Sequence, residues 1–178
     1  MRINYILFVI ILIYSISYVQ AKNTVRIKNK DLINIENTVR QYQNQEIIFY
    51  FPDKEYDFSV LSSTTLNFII SSNITFYNYN KNKTIFNFKN KEFKGININF
   101  KNNGKLRFYN ILFKNYSTNS KELYLIKSFY NEINTNYHLV FEDCIFEDIS
   151  SNLYLSVSRC LKITQNEPHT LFYNCQFM

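Results

Sequence analysis

The largest cluster of acidic residues in this 178-residue chain is Glu142, Asp143, Glu147 and Asp148. Two carboxylates flanking a glycosidic bond are what sugar hydrolysis needs, one to protonate the leaving oxygen and one to attack or to activate water. The spacing argues against that use. Asp143 falls where strand alternation breaks, and Glu142 and Glu147 fall outward on different strands, so the four read as solvated or turn-forming carboxylates. Metal chemistry is served no better. There is no Cys-x-x-Cys, and His138 and His169 lie beside repeat starts rather than at ligand spacing, where they read as turn residues. No metal ligand set and no cofactor motif emerges.

Tyr77, Tyr109, Glu142 and Tyr173 form a more suggestive set, because each follows an anchoring phenylalanine and so points away from it across a strand. Aromatic faces in a row can stack on sugar rings, and a carboxylate among them can accept hydroxyl hydrogen bonds. The plainer reading is that tyrosine is a good exposed strand residue. Both readings stand at this level. Sequons at Asn73-Ile-Thr75, Asn82-Lys-Thr84 and Asn115-Tyr-Ser117 are candidate glycosylation sites. Asn115 aligns with Asp148, which also allows it to be a buried turn residue.

A repeat positions these residues. Leu106-Arg-Phe108-Tyr-Asn110-Ile111-Leu-Phe113-Lys-Asn115 returns as Leu139-Val-Phe141-Glu-Asp143-Cys144-Ile-Phe146-Glu-Asp148, and again as Thr170-Leu-Phe172-Tyr-Asn174-Cys175-Gln-Phe177. A weaker copy stands at Ile74-Thr-Phe76-Tyr-Asn78-Tyr79, so the anchoring phenylalanines 76, 108, 141 and 172 are separated by steps of 32, 33 and 31. Repeats of this length mean stacked units. Within each copy the alternation slips by one residue at Asn110, Asp143 or Asn174. Keeping every large apolar residue on one side then requires the chain to bend there, and Asn and Asp are the non-glycine residues that best tolerate left-handed backbone. Strand, corner and strand again, stacked in register, is a parallel β-helix.

Composition agrees. Tyr (15) and Phe (17) make up the aromatic fraction, Trp is absent, and only two Gly and two Pro occur, which favours strands joined by Asn, Ser and Lys turns over tight hairpins. The net charge of +6, or +5 without Arg2, comes from lysines scattered singly between strand segments. Such lysines solvate turns and guard sheet edges. They do not form a nucleic-acid stripe.

Residues 1–21 carry Arg2, an apolar run from Ile6 to Tyr14 and a small-residue ending at Val19-Gln20-Ala21, the pattern of a secretory signal peptide. The expected location is therefore extracellular or at the cell surface, with no membrane span after cleavage. Residues 22–45 form an N-terminal cap. In it Leu32, Ile35, Val39 and Tyr42 recur at helical steps from Asp31 to Gln45, a short amphipathic helix with Asp31 able to cap it and suited to closing the first coil. Residues 46–178 are the solenoid. Glu46 to Phe58 reads as a strand, a Pro52-Asp53 turn and a second short strand.

A helix, an apolar strand and a Pro-Asp turn followed by Tyr56-Asp57 resembles the opening coil of the right-handed parallel β-helix superfamily, the fold of pectate lyases, polygalacturonases and many surface proteins. Phe172 to Phe177, with Phe141 to Phe146, resembles repeats of secreted β-helix proteins. The resemblance spans about residues 31–178. It implies an all-β, right-handed parallel β-helix with a short N-terminal capping helix. The polygalacturonase-like Gly-His-Gly triplet and Asp-Asp pair are missing.

The expected function is that of a non-catalytic structural or adhesive module, with polysaccharide or cell-surface components as partners. The alternative is a polysaccharide lyase or glycoside hydrolase whose active coils lie beyond this chain. Cys144 and Cys175 occupy one position in successive coils, about 4.7–4.9 Å apart in a stacked sheet. That distance suits either a coil-to-coil disulfide or two stacked small core residues; Cys160 is left over. The last repeat stops at Met178 without the residues that complete earlier coils, so the solenoid reads as incomplete there and open to end-to-end self-association.

Overall fold

The computed structural model describes residues 24–61, 64–90, 93–118, 124–130, 138–151, 156–160 and 170–178. The signal-like segment and His169 lie outside them. All pairings among the described strands are parallel, and they build three sheets. The first sheet stacks β1 (Thr24–Arg26), β2 (Ile47–Tyr50), β5 (Asn73–Tyr77), β8 (Lys105–Tyr109), β11 (Leu139–Glu142) and β14 (Thr170–Tyr173). The second stacks β3 (Glu55–Asp57), β6 (Thr84–Asn87), β9 (Ile111–Thr118), β12 (Ile145–Ser151) and β15 (Gln176–Phe177). The third stacks β4 (Leu66–Ile70), β7 (Ile96–Phe100), β10 (Ile126–Tyr130) and β13 (Ser156–Cys160). Each coil visits the three sheets in turn, so the molecule is the parallel β-solenoid that the repeat demands.

The corners are backbone features. Asn110, Asp143 and Asn174 adopt φ of 59°, 53° and 51°, and a second corner inside the repeat places Asn115 and Asp148 at 57° and 54°. Side chains stitch the first corner from coil to coil. The Asn110 amide donates to the carbonyls of Asn78 (3.2 Å) and Asn80 (2.9 Å), and the Asn174 amide donates to the Asp143 carboxylate. A polar side chain is therefore wanted here twice over, for the left-handed backbone and for the ladder.

With the corner set, the phenylalanines stack in columns that are buried at Phe108, Phe113, Phe141 and Phe146 and exposed at Phe172 and Phe177. Phe108, Phe141 and Phe172 pair in register, with ring centroids 5.2 and 4.9 Å apart and planes within 8° and 6° of parallel. Phe113, Phe146 and Phe177 repeat this on the adjoining wall at 5.0 Å for each step. Phe49 and Phe76 extend the first column upstream, meeting edge to face at 5.5 Å. The coil that carries Phe49 is thus a further member of the same repeat, beyond the weak copy at Phe76.

The capping helix forms in two parts. A 3-10 turn over Asn29–Asn34 leads into α1 (Ile35–Gln41), and the helix stops short of the Gln45 that periodicity reached. Asp31 caps it from within the first turn, its carboxylate accepting the Lys28 N–H at 2.9 Å, rather than from the residue before the helix. Leu32, Ile35 and Val39 are buried, and α1 packs on β4, the edge of the third sheet. Glu36 accepts the backbone N–H of Asn67 at 2.9 Å, which satisfies a donor that an edge strand would otherwise offer to another chain.

The chain's two glycines mark tight approaches between coils. A Cβ on Gly95, at φ +95°, would lie 2.0 Å from the Tyr124 carbonyl oxygen, and one on Gly104 would lie 2.3 Å from that of Ile70.

Two stability predictions follow from this geometry. Asp143→Val forces a β-branched residue into left-handed backbone and should cost about 1–3 kcal/mol in chemical denaturation, whereas Asp143→Asn should stay close to wild type. Phe141→Ala empties the middle of a stacked column and should cost about 3–5 kcal/mol; a loss under about 1 kcal/mol would show that the column carries little of the core.

Candidate functional site

The site begins with a departure from the repeat. Where later coils turn on a single left-handed Asn or Asp, six residues, 78–83, separate β5 from β6. Thr84 pairs with Ile111, so it takes the interior position that the weak repeat copy would give Tyr79, and its hydroxyl donates to the Asp53 carbonyl at 2.6 Å. The inserted residues loop outward. Asn78 is buried and ties the loop down: its side-chain oxygen accepts the Asn80 N–H at 2.9 Å and its amide donates to the Asn82 carbonyl at 2.9 Å. This is the local turn bonding at which Asn excels.

Tyr79 is thereby held on the outside, 56% exposed. Its ring lies 4.1 Å from Tyr77 and 5.1 Å from Tyr50, tilted by 63° and 66°. Beneath it runs the outward column, in which Tyr50, Tyr77, Tyr109, Glu142 and Tyr173 are opposed in register. Tyr77 and Tyr109 stack face to face at 4.7 Å and 9°. Arg107 lies 5.2 Å from the centre of the Tyr109 ring and pairs with the Glu142 carboxylate. Burial pushes the Tyr77 and Tyr109 phenols above their ordinary value, so both hydroxyls stay protonated at neutral pH.

The loop that carries Tyr79 lines, with its other five residues, a cleft of about 290 Å³, near the lower end of small-ligand sites. Lys54, Lys81 and Lys83 line it together with Asn78, Asn80 and Asn82. Lys83 reaches inward, its ammonium donating to the Asn110 side-chain oxygen at 3.2 Å and to the Asp143 carbonyl, which fastens the loop to the next two coils.

The tyrosine and glutamate positions read from the sequence thus share one column, though Glu142 has its carboxylate engaged by Arg107. The signal for Tyr50 was present, since it follows Phe49 as the others follow their anchors. Tyr79 carried no such signal, because the insertion that turns it outward is invisible in the repeat. The acidic group is used structurally: Glu147 pairs with Lys114, and Asp143 and Asp148 are corner residues. His138 sits at a bend but is buried, with Nδ1 2.9 Å from the Gly104 carbonyl and its ring against Phe100. Among the described residues no group of three or more His, Cys, Asp or Glu could hold a metal, and no helix is long and apolar enough to cross a membrane.

Of the three sequons, Asn73 and Asn82 are exposed, and Asn73 donates to Glu46 at 2.6 Å. Asn115 is half-buried at its left-handed corner and donates to Asn87 at 2.9 Å. Cys144 and Cys175 stand in adjacent coils as free thiols, the Gln176 N–H donating to the Cys144 carbonyl at 3.0 Å. Burial pushes the Cys144 thiol up. The neighbouring Cys144 thiol lowers that of half-buried Cys175. No family model, curated protein or solved structure matches this chain.

The thiols offer a direct check. Reactivity follows the thiolate and its access, so iodoacetamide at neutral pH should label half-buried Cys175 well before buried Cys144. Equal labelling, read by peptide mass mapping, would contradict the assigned difference in environment.

Proposed function

We propose that this chain is a secreted or cell-surface parallel β-helix, of the right-handed pectate-lyase-like kind, that binds polysaccharide without turning it over. The observation that carries this reading is the continuous tyrosine surface formed by Tyr50, Tyr77, Tyr79 and Tyr109 on one face of the first sheet. Four phenols side by side supply apolar ring area and hydroxyl donors together, the combination that a sugar ring's C–H face and hydroxyl rim require. Tyrosine also brings little side-chain entropy to lose on binding, since two torsions fix it.

The signal-like residues 1–21 support secretion. The non-catalytic part of the reading rests on the carboxylates. Glu142 and Glu147 are held by Arg107 and Lys114, and Asp143 and Asp148 are committed to corners. None of the four is arranged as an acid opposite a second carboxylate, the geometry that hydrolysis needs.

Affinity electrophoresis of the mature protein through gels containing neutral and acidic polysaccharides tests the reading. Retardation by at least one polymer is expected, with no new reducing ends or unsaturated products on prolonged incubation. The double variant Tyr77→Ala/Tyr109→Ala should weaken binding by roughly tenfold or more, as loss of aromatic anchors does. Migration unchanged in every gel would sink the binding reading, and product formation would sink the non-catalytic one.

A further inference from the structure

We infer that the contact point for the ligand is the outward face of Tyr79, and that the sugar stacked there carries an anionic substituent, a carboxylate or a sulfate, which Lys54 and Lys81 receive in the adjoining cleft. This rests on the polysaccharide reading above and specifies its site and ligand class. Within that tyrosine surface the ladder members contribute edges and hydroxyls more than open faces. Tyr77 and Tyr109 spend a face on each other, and the Arg107 guanidinium lies over the Tyr109 ring. The ladder therefore presents mainly ring edges and hydroxyls to solvent. Tyr79 lies steeply tilted against Tyr50 and Tyr77, is supported by both, and keeps more than half of its surface in water. Tyr173 is comparably bare at 62%, but it stands three strands along the column from the cleft.

The cleft's lining decides the charge of its occupant. It contains three lysines and no carboxylate. Its asparagine amides are largely spent on the loop: Asn78 donates to Asn82 and Asn80 donates to the Pro52 carbonyl. Lys83 is committed to Asn110 and Asp143. Lys54 and Lys81 are exposed and make no ion pair among the described residues, so they are the donors left for a ligand. Two ammonium groups beside a third fixed one form a site for an anion. Carboxylate and sulfate share that chemistry, so the probes must separate them.

Three polymers with one backbone serve as probes: dextran, carboxymethyl-dextran and dextran sulfate, titrated against the mature protein freed of N-glycans because Asn82 borders the cleft. One or both charged polymers should bind at least about tenfold more tightly than dextran, and the tighter of the two identifies the substituent. Tyr79→Ala should lose about tenfold and Tyr79→Phe should bind as wild type, since the ring and not the hydroxyl makes the stack. Lys54→Gln/Lys81→Gln should lose about tenfold. Lys30→Gln/Lys101→Gln removes the same charge from exposed positions outside the cleft lining and should lose little.

Equal binding of dextran and its charged forms overturns the inference, as does equal loss in the two lysine double variants, or retention of full affinity by Tyr79→Ala. Failure to hold either charged dextran overturns it as well. Should the protein then still bind a neutral polysaccharide in a way that depends on Tyr77 and Tyr109, the reading of the previous section survives and only the anionic site falls. If no polysaccharide binds at all, both fall.

Discussion

Every coil of this molecule must bring its phenylalanines back to the same place, and the rest of the structure depends on that register. Parallel strands stack about 4.7–4.9 Å apart, close to the 4.9–5.2 Å separation of the parallel rings in the Phe108, Phe141 and Phe172 column. The neighbouring column meets it edge to face, Phe108 with Phe113 at 5.5 Å and Phe141 with Phe146 at 5.4 Å. Stacking along each column and edge contacts between columns satisfy the ring quadrupoles in both directions, each pair contributing about 0.5–1.5 kcal/mol beyond simple burial. A slip of one residue would send the whole set to solvent.

The corners make that register possible at a modest local cost. Turning the chain between the first and second sheets without shifting the alternation needs one residue in left-handed backbone, and the chain uses Asn or Asp where other proteins use glycine. The choice has a second effect. Because these side chains reach along the stack, as Asn110 does to Asn78 and Asn80 and Asn174 does to Asp143, the corner becomes a polar ladder that reports the position of one coil to the next. Glycine would permit the turn and lose the ladder.

The same corner is where the solenoid can tolerate variation, and the candidate site lies there. A five-residue insertion at 79–83 leaves β5 and β6 in register with their neighbours while throwing Tyr79 and three polar residues outward. A rigid scaffold with one expanded loop is the usual arrangement for recognition. Lys83 fastens that loop to Asn110 and Asp143 in the following coils and Asn80 ties it to Pro52 in the preceding one, while Asn78 braces it from within through Asn80 and Asn82.

What the sequence by itself determined is whatever depends on alternation within one coil. The slip at Asn110, Asp143 and Asn174 named the corners, the anchoring phenylalanines named the core columns, and the steps at Leu32, Ile35 and Val39 named the cap, because each reflects which side of a strand or helix a residue occupies. The outward column of Tyr77, Tyr109, Glu142 and Tyr173 was legible for the same reason. Tertiary structure decided everything that depends on contact between coils. The outward turn of Tyr79, the pairing of Glu142 with Arg107, the burial of His138 and the demand for glycine at 95 and 104 all arise between residues about thirty apart in sequence that become neighbours only on stacking. Local periodicity carries no term for those meetings, and so the fold could be read from the chain while its candidate binding site could be read only in part.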